Sequence, residues 1–178
     1  YDLSSYEHNS ANYIYLVSMA MKAAFADRNK YLADMAFIDV PLEWMISKER
    51  ANEWRKHIDS DRPIDVSFTP FESPDTTHVT VVDNNRNCVA LTHSLGMSSG
   101  VITPGLGFMY NNSMINYHPI ADHPNSYSPG KSRTTGMAPT IIYKNDQPFL
   151  ILGAPGATRI ITSILQVILN VIDFRMSI

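Results

Sequence analysis

The hydrophobic period of this chain changes once, at Asp75-Thr76-Thr77, and the change divides what its two halves can become. Before it, apolar residues recur at helical spacing. After it, Val79 and Val81 alternate with His78, Thr80 and Val82 until Asp83-Asn84-Asn85-Arg86-Asn87 breaks the run. Cys88 to Ser94 then resumes the alternation, so the two runs predict an antiparallel hairpin closed by a polar turn. If that turn pairs Asp83 with Cys88, Thr77 lies opposite Ser94, and Ser94 comes within reach of the Thr76 hydroxyl. The inference depends on register, because a slip of one residue turns Ser94 to the other face.

The entrance to the first strand carries chemistry. Two threonines follow the turn-like Glu72-Ser73-Pro74-Asp75, which a merely buried strand does not need. A chain that cuts itself between Asp75 and Thr76 does need them. Thr76 then supplies both an attacking hydroxyl and an α-amino group to accept its proton. That amine has an unperturbed pKa of about 7.7–8.0, so a useful fraction is neutral near physiological pH. His78 and His93 share the hairpin, but a threonine of this kind brings its own base. No Asp/Glu/His cluster at ligand spacing accompanies them, and both are read as structural, with no metal.

The helical half begins at Ser10, a plausible N-cap, followed by Ile14, Val17, Met21, Ala24 and Phe25 at helical spacing. The pattern fades through Arg28-Asn29-Lys30. A second start stands at Asp39-Val40-Pro41, and Ser47 caps a further helix with Ala51, Trp54 and Ile58 on one side. Lys48, Glu49, Arg50 and Arg55 are expected to face water. Asp59 to Asp75 holds three prolines and no period, and reads as an extended connector.

Composition narrows the function classes. Hydrophobic residues make up 44% and charged residues 17%, as in ordinary globular protein. A net charge of −3 offers no footprint for nucleic acid or an anionic membrane. Cys88 is the only cysteine, so disulfides and cysteine zinc sites are excluded, and it reads as a small buried side chain. No stretch resembles a signal peptide, which leans towards the cytoplasm over a secreted or periplasmic site. The chain begins at Tyr1 rather than Met, so the compartment stays open.

Leu95 to Pro129 is rich in Gly, Asn, Ser and Pro and suits loops over a rigid sheet. Strands are expected at Ile141-Ile142-Tyr143 and, after Asn145-Asp146, at Phe149-Leu150-Ile151-Leu152. Gly153-Ala154-Pro155-Gly156-Ala157-Thr158-Arg159 then leads into a helix striped by Ile161, Ile164, Leu165, Ile168, Val171 and Ile172. That helix is too short and too polar to span a membrane. A glycine turn at a helix start presents free N–H groups near the positive end of the dipole, which equips it as an oxyanion hole.

Four stretches together resemble the γ-glutamyltranspeptidase family of N-terminal-nucleophile hydrolases. They are Ala26 to Leu32 with Phe37 to Pro41, Thr76 to Asp83, Met137 to Ile141, and Gly153 to Ile160, in family order over nearly the whole chain. The resemblance implies an α+β fold, an αββα sandwich of which this chain is an incomplete portion. Residues 1–75 resemble the end of the large subunit and 76–178 the first part of the small one, with cleavage between Asp75 and Thr76. It implies Thr76 as nucleophile, Ser94 as its supporting hydroxyl, and the Gly156 and Ala157 amides as the oxyanion hole. The substrate-carboxylate hydroxyl pair maps to Thr135 and Gly136, so one hydroxyl remains, and Arg133 or Lys131 is expected to supply the missing attraction. The acidic residue that holds the glutamyl α-ammonium falls on Asn116, the loop asparagine or glutamate on Gly96, and a further polar contact on Ser113. A neutral Asn should grip an ammonium less well than a carboxylate, so discrimination against amine-free acyl groups such as glutaryl should weaken. The implied activity is γ-glutamyl transfer from glutathione-type amides to water or to amino-acid and peptide amines. The alternatives are an amide hydrolase of glutaryl or cephalosporin type, or a non-catalytic uncleaved fragment. No metal or organic cofactor is implied, and the expected partners are the substrate, the acceptor and the remaining parts of both subunits. Nucleic acid and membrane are not among them, and the oligomeric state is left open.

Overall fold

The computed structural model describes residues 1–66 and 75–178, which form two compact units. Of the connector expected over Asp59–Asp75, residues 67–74 lie outside the described residues, with the turn at Glu72-Ser73-Pro74; Asp59 still belongs to a helix, and residues 62–66 have no helix or strand, with Ile64 in the core.

The first unit is helical. Its elements are α1 (Ala11–Tyr31), α2 (Leu42–Met45) and α3 (Lys48–Asp59), joined by residues 117–134 and the C-terminal residues from 171 onward. Ser10 caps α1 by accepting from the Tyr13 amide at 3.3 Å, and Ser47 caps α3 from the Arg50 amide at 3.0 Å. Caps of this kind contribute about 1 kcal/mol each. The buried face of α1 is only partly the expected one, keeping Val17 and half-burying Met21 and Phe25. It carries Tyr13, Leu16, Val17, Met19, Ala23 and Asp27, while Ile14 is 50% exposed and Ala24 faces water. Tyr13 meets the ring of Phe174 edge-on, and Asp27 accepts from Arg50 Nε at 2.9 Å, Arg50 Nη2 at 2.5 Å and Trp54 Nε1 at 2.7 Å. These partners choose the face and carry α1 through Arg28-Asn29-Lys30 to Tyr31. Arg50 therefore turns inward, not towards water. A core of Leu16, Met19, Ala23, Ile58 and Ile64 lies between α1, α3 and the chain after α3.

The second unit, residues 75–116 and 135–170 as described, holds three antiparallel hairpins and α4 (Arg159–Ile172). They are β1 (Thr76–Val82) with β2 (Cys88–Ser94), β3 (Ser98–Ile102) with β4 (Met109–Asn111), and β5 (Thr140–Lys144) with β6 (Gln147–Leu152). β2 runs beside the β5–β6 pair. The β3–β4 hairpin lies where loops alone were expected. Its turn uses Gly105 (φ +86°) and Gly107 (φ +70°), so the glycines close a hairpin rather than dissolve one. Asn145 and Asp146, both left-handed, make the two-residue loop between β5 and β6.

The β1–β2 register differs by one residue from the expected pairing. Val82, not Asp83, faces Cys88, which sets Thr76 directly opposite Ser94. Asp83 faces Asn87 instead, donating its amide to the Asn87 carbonyl at 3.1 Å, while its carboxylate accepts from the Asn85 and Asn87 amides at 2.8 Å each and from Asn87 Nδ2 at 2.7 Å. Those bonds hold its carboxyl below the usual carboxylate range. Thr76, His78, Thr92 and Ser94 lie on the half-buried side of the hairpin, while Val79, Val81, Val89 and Leu91 point outward, 47–57% exposed. In α4 the deepest residues are Ile160 and Ile164. Ile164 belongs to the expected stripe and Ile160 does not. Among the described residues no helix is long and apolar enough to cross a membrane.

Candidate active site

Thr76 opens β1, and the pairing just described brings its Oγ1 to 2.9 Å from Ser94 Oγ. Ser94 Oγ also accepts from the Gly96 amide at 3.0 Å and donates to the Asp75 carbonyl at 3.1 Å. The serine has one proton to give, so with that proton on Asp75 the Thr76 hydroxyl is the donor between the two side chains. The Leu95 amide donates to the same Asp75 carbonyl at 3.2 Å. Two donors thus converge on the carbonyl of the peptide bond immediately before Thr76. Such a pair can stabilise an oxyanion formed there by attack of a neighbouring hydroxyl. Sequence reasoning reached Ser94 but missed the Leu95 donor, because a backbone N–H leaves no mark in residue type.

The polar chain continues into the loops. Gly96 is left-handed (φ +73°), and a Cβ on it would lie 3.0 Å from Ser113 Oγ and 3.1 Å from Ser113 Cα. Asn116 Nδ2 donates to the Ser113 carbonyl at 3.2 Å. Thr76, Ser94, Gly96, Ser113 and Asn116 therefore form one connected group.

A second group forms before α4. Gly156 (φ +119°) and Ala157 (φ +51°) turn the chain into the helix, where the Gly156 and Ala157 carbonyls accept from the Arg159 and Ile160 amides at 2.9 and 3.3 Å. A Cβ on Gly136 would sit 2.7 Å from the Ala157 carbonyl oxygen, so only glycine allows this backbone approach. Thr135, beside it, is exposed and accepts from the Met137 amide at 3.1 Å. A contact that sequence reasoning did not find links β1 to the segment before this turn: the ring of His78 lies directly against Gly153.

Lys131 and Arg133 belong to the first unit. Lys131 is buried, its Nζ donating to the Pro124 carbonyl at 2.5 Å and facing the Phe37 ring at 5.9 Å. It is committed to the fold. Arg133 Nη1 donates to the Thr134 carbonyl at 2.9 Å. A cleft of about 590 Å³ in the first unit, lined by Asp27, Arg50, Trp54, His118 and His123, contains none of the candidate residues. Its buried carboxylate, Asp27, is already engaged by Arg50 and Trp54, so we read the cleft as structural. Among the described residues no group of three or more His, Cys, Asp or Glu side chains could hold a metal ion.

A hairpin that opens on a threonine bonded to a hydroxyl of the next strand, with a glycine turn at a helix start, fits the class of N-terminal-nucleophile hydrolases. The particular family follows from comparison. The gamma-glutamyltranspeptidase family model matches residues 1–178, and the chain belongs to that family. Acylase ACY 1 proenzyme of Pseudomonas sp. (strain SE83) is 40% identical over 99% of this chain and 32% of its own length. Glutathione hydrolase proenzyme of Escherichia coli (strain K12) is 32% identical over 100% of this chain and 34% of its own. Among solved structures, cephalosporin acylase from Bacillus halodurans aligns over 98% of this chain and 33% of its own, at a TM-score of 0.78 and 27% identity. A T380A mutant of Helicobacter pylori gamma-glutamyltranspeptidase aligns over 57% of this chain and 61% of its own, at a TM-score of 0.53 and 36% identity. The chain spans about a third of the length of the curated relatives it matches.

Proposed function

We propose that the full-length protein matures by cutting itself between Asp75 and Thr76 and then transfers γ-glutamyl groups from glutathione-type amides to water or amines. The observation that carries this reading is the convergence of Ser94 Oγ and the Leu95 amide on the Asp75 carbonyl, with Thr76 Oγ1 bonded to the same serine. In maturation Thr76 Oγ attacks the Asp75 carbonyl carbon, its proton passes to the departing nitrogen, and an ester replaces the amide. Water then cleaves the ester, leaving the Asp75 carboxylate and a free Thr76 amine. In turnover that amine takes the Thr76 hydroxyl proton as Oγ attacks the substrate amide. The Gly156 and Ala157 N–H groups hold the oxyanion, and the leaving amine departs with the proton. Water or an acceptor amine resolves the acyl-enzyme. Arg133 serves the substrate carboxylate, so Arg133→Ala should raise KM, and an unchanged KM would remove it from the site.

A second reading has specific support. The relatives include acylases, among them one 40% identical, and the family resemblance puts the neutral Asn116 where an acid would hold the substrate ammonium. An uncharged partner loses roughly half the strength of a charge-assisted bond to a substrate ammonium. Side-by-side kinetics on γ-glutamyl and glutaryl anilides, with and without glycylglycine, separate the two. Faster release from the γ-glutamyl substrate, further accelerated by the dipeptide, is expected for the transferase; a glutaryl preference without acceleration assigns the chain to the acylases.

A further inference from the structure

His78 has no part in the steps above, yet its ring joins the strand that Thr76 opens to the segment that leads into the Gly156-Ala157 turn. Its ring occupies the space that a side chain at position 153 would need: a Cβ there would overlap Nδ1, Cε1 and Cγ. The ring is held from both sides, with Nδ1 2.8 Å from Thr92 Oγ1 and Nε2 3.1 Å from Thr80 Oγ1. A hydroxyl can donate or accept, so these partners accommodate either neutral tautomer and the imidazolium alike. They fix the ring in place and engage both of its nitrogens.

Position decides what this fixture is for. His78 follows Thr76 by two residues and shares its face of β1, so its place is tied to that of the nucleophile. Gly153 is the first residue after β6 and stands three residues before Gly156. The far end of the same segment is set by Gly136 against the Ala157 carbonyl and by the first turn of α4. The segment 153–157 is therefore held at both ends, and one of the two holds is the histidine on the nucleophile's strand.

We infer that His78 is a positioning residue for the oxyanion turn, seating on Gly153 to set where the Gly156 and Ala157 N–H groups stand relative to Thr76 Oγ1. This rests on the function proposed above. It makes positions 78 and 153 energetically coupled: the ring requires the absence of a side chain at 153, and any atom placed there displaces the ring.

The test is a double-mutant cycle in the full-length protein, using Gly153→Ala, His78→Ala and the pair, assayed with the better of the γ-glutamyl and glutaryl anilides. Each single variant should lower kcat by about tenfold or more with KM nearly unchanged, because misplaced donors cost transition-state stabilisation. In the His78→Ala background, adding Ala at 153 should cost about threefold or less, since the ring it would strike is gone. The midpoint of the kcat–pH profile should not move. Unchanged kcat in either single variant, fully additive losses, or a shifted midpoint would each overturn the inference, the last by making His78 a proton carrier. If His78→Ala does not fold or mature, the cycle is run with His78→Asn and judged by the same outcomes. Failure of the underlying reading shows separately, as turnover surviving in Thr76→Ala or as no acyl adduct on Thr76 by mass spectrometry.

Discussion

Ala157 carries a left-handed backbone at the turn into α4, where an L side chain is strained by about 1 kcal/mol. Ala157→Gly should therefore raise stability by about 1 kcal/mol, read as a higher urea midpoint, with turnover kept because the N–H remains. A lower midpoint would show that the methyl group makes a compensating contact. Ser94 is under the opposite constraint, since three bonds meet at its oxygen. Ser94→Ala should slow scission by about 10²–10³, as for loss of one oxyanion donor, and Ser94→Thr should restore it; a time course on denaturing gels reads both. At this scale the bond between the Thr76 and Ser94 hydroxyls was legible in the sequence. Thr76 stands at the entrance of an alternating run, and Ser94 follows from a hairpin. The Leu95 donor and the seat of His78 on Gly153 were not, because the first is main chain and the second depends on a contact between distant segments.

The elements show the same division between local and distant causes. Ser10 and Ser47 were readable as caps because a cap is settled within four residues. The buried face of α1 was only partly so, because Phe174 and Arg50 choose it from far along the chain. The β1–β2 register slipped from expectation by one residue because Asp83 bonds within its own turn. The α1–α3 junction also carries a pH dependence. Burial raises the Asp27 carboxyl, but hydrogen bonds from Arg50 and Trp54 and the charges of Arg50 and Lys30 outweigh it and leave it below the usual range. The unfolded carboxyl titrates near 3.9, so the unfolded state takes up a proton first as pH falls. Stability from Asp27 is thus complete above about pH 4–5 and lost below, towards the folded pKa. Asp27→Ala should cost about 3 kcal/mol, the lower end for a broken buried pair because Arg50 keeps Glu53, and it should flatten the acid limb of the melting curve. An unchanged acid limb would mean that other carboxylates govern it.

Across the whole molecule, what the sequence carried was order: helices first, then a threonine-headed hairpin, then a glycine turn into an apolar helix. That order is what the family comparison matches along the full chain. The described residues form three two-stranded hairpins, a portion of the sandwich, consistent with a chain that spans a third of its relatives' length. Substrate choice was less legible, because the positions proposed to set it, such as Asn116 and Gly96, are single residues that no period or spacing marks out. All of the chemistry nevertheless requires that Thr76 gain a free amine. The most direct measurement is the intact mass of the full-length polypeptide and of its Thr76→Ala variant after purification. Two chains, the second beginning at Thr76, are expected from the wild type, and one uncut chain from the variant. Scission in Thr76→Ala, or an uncut wild type that still turns over substrate, would contradict the account.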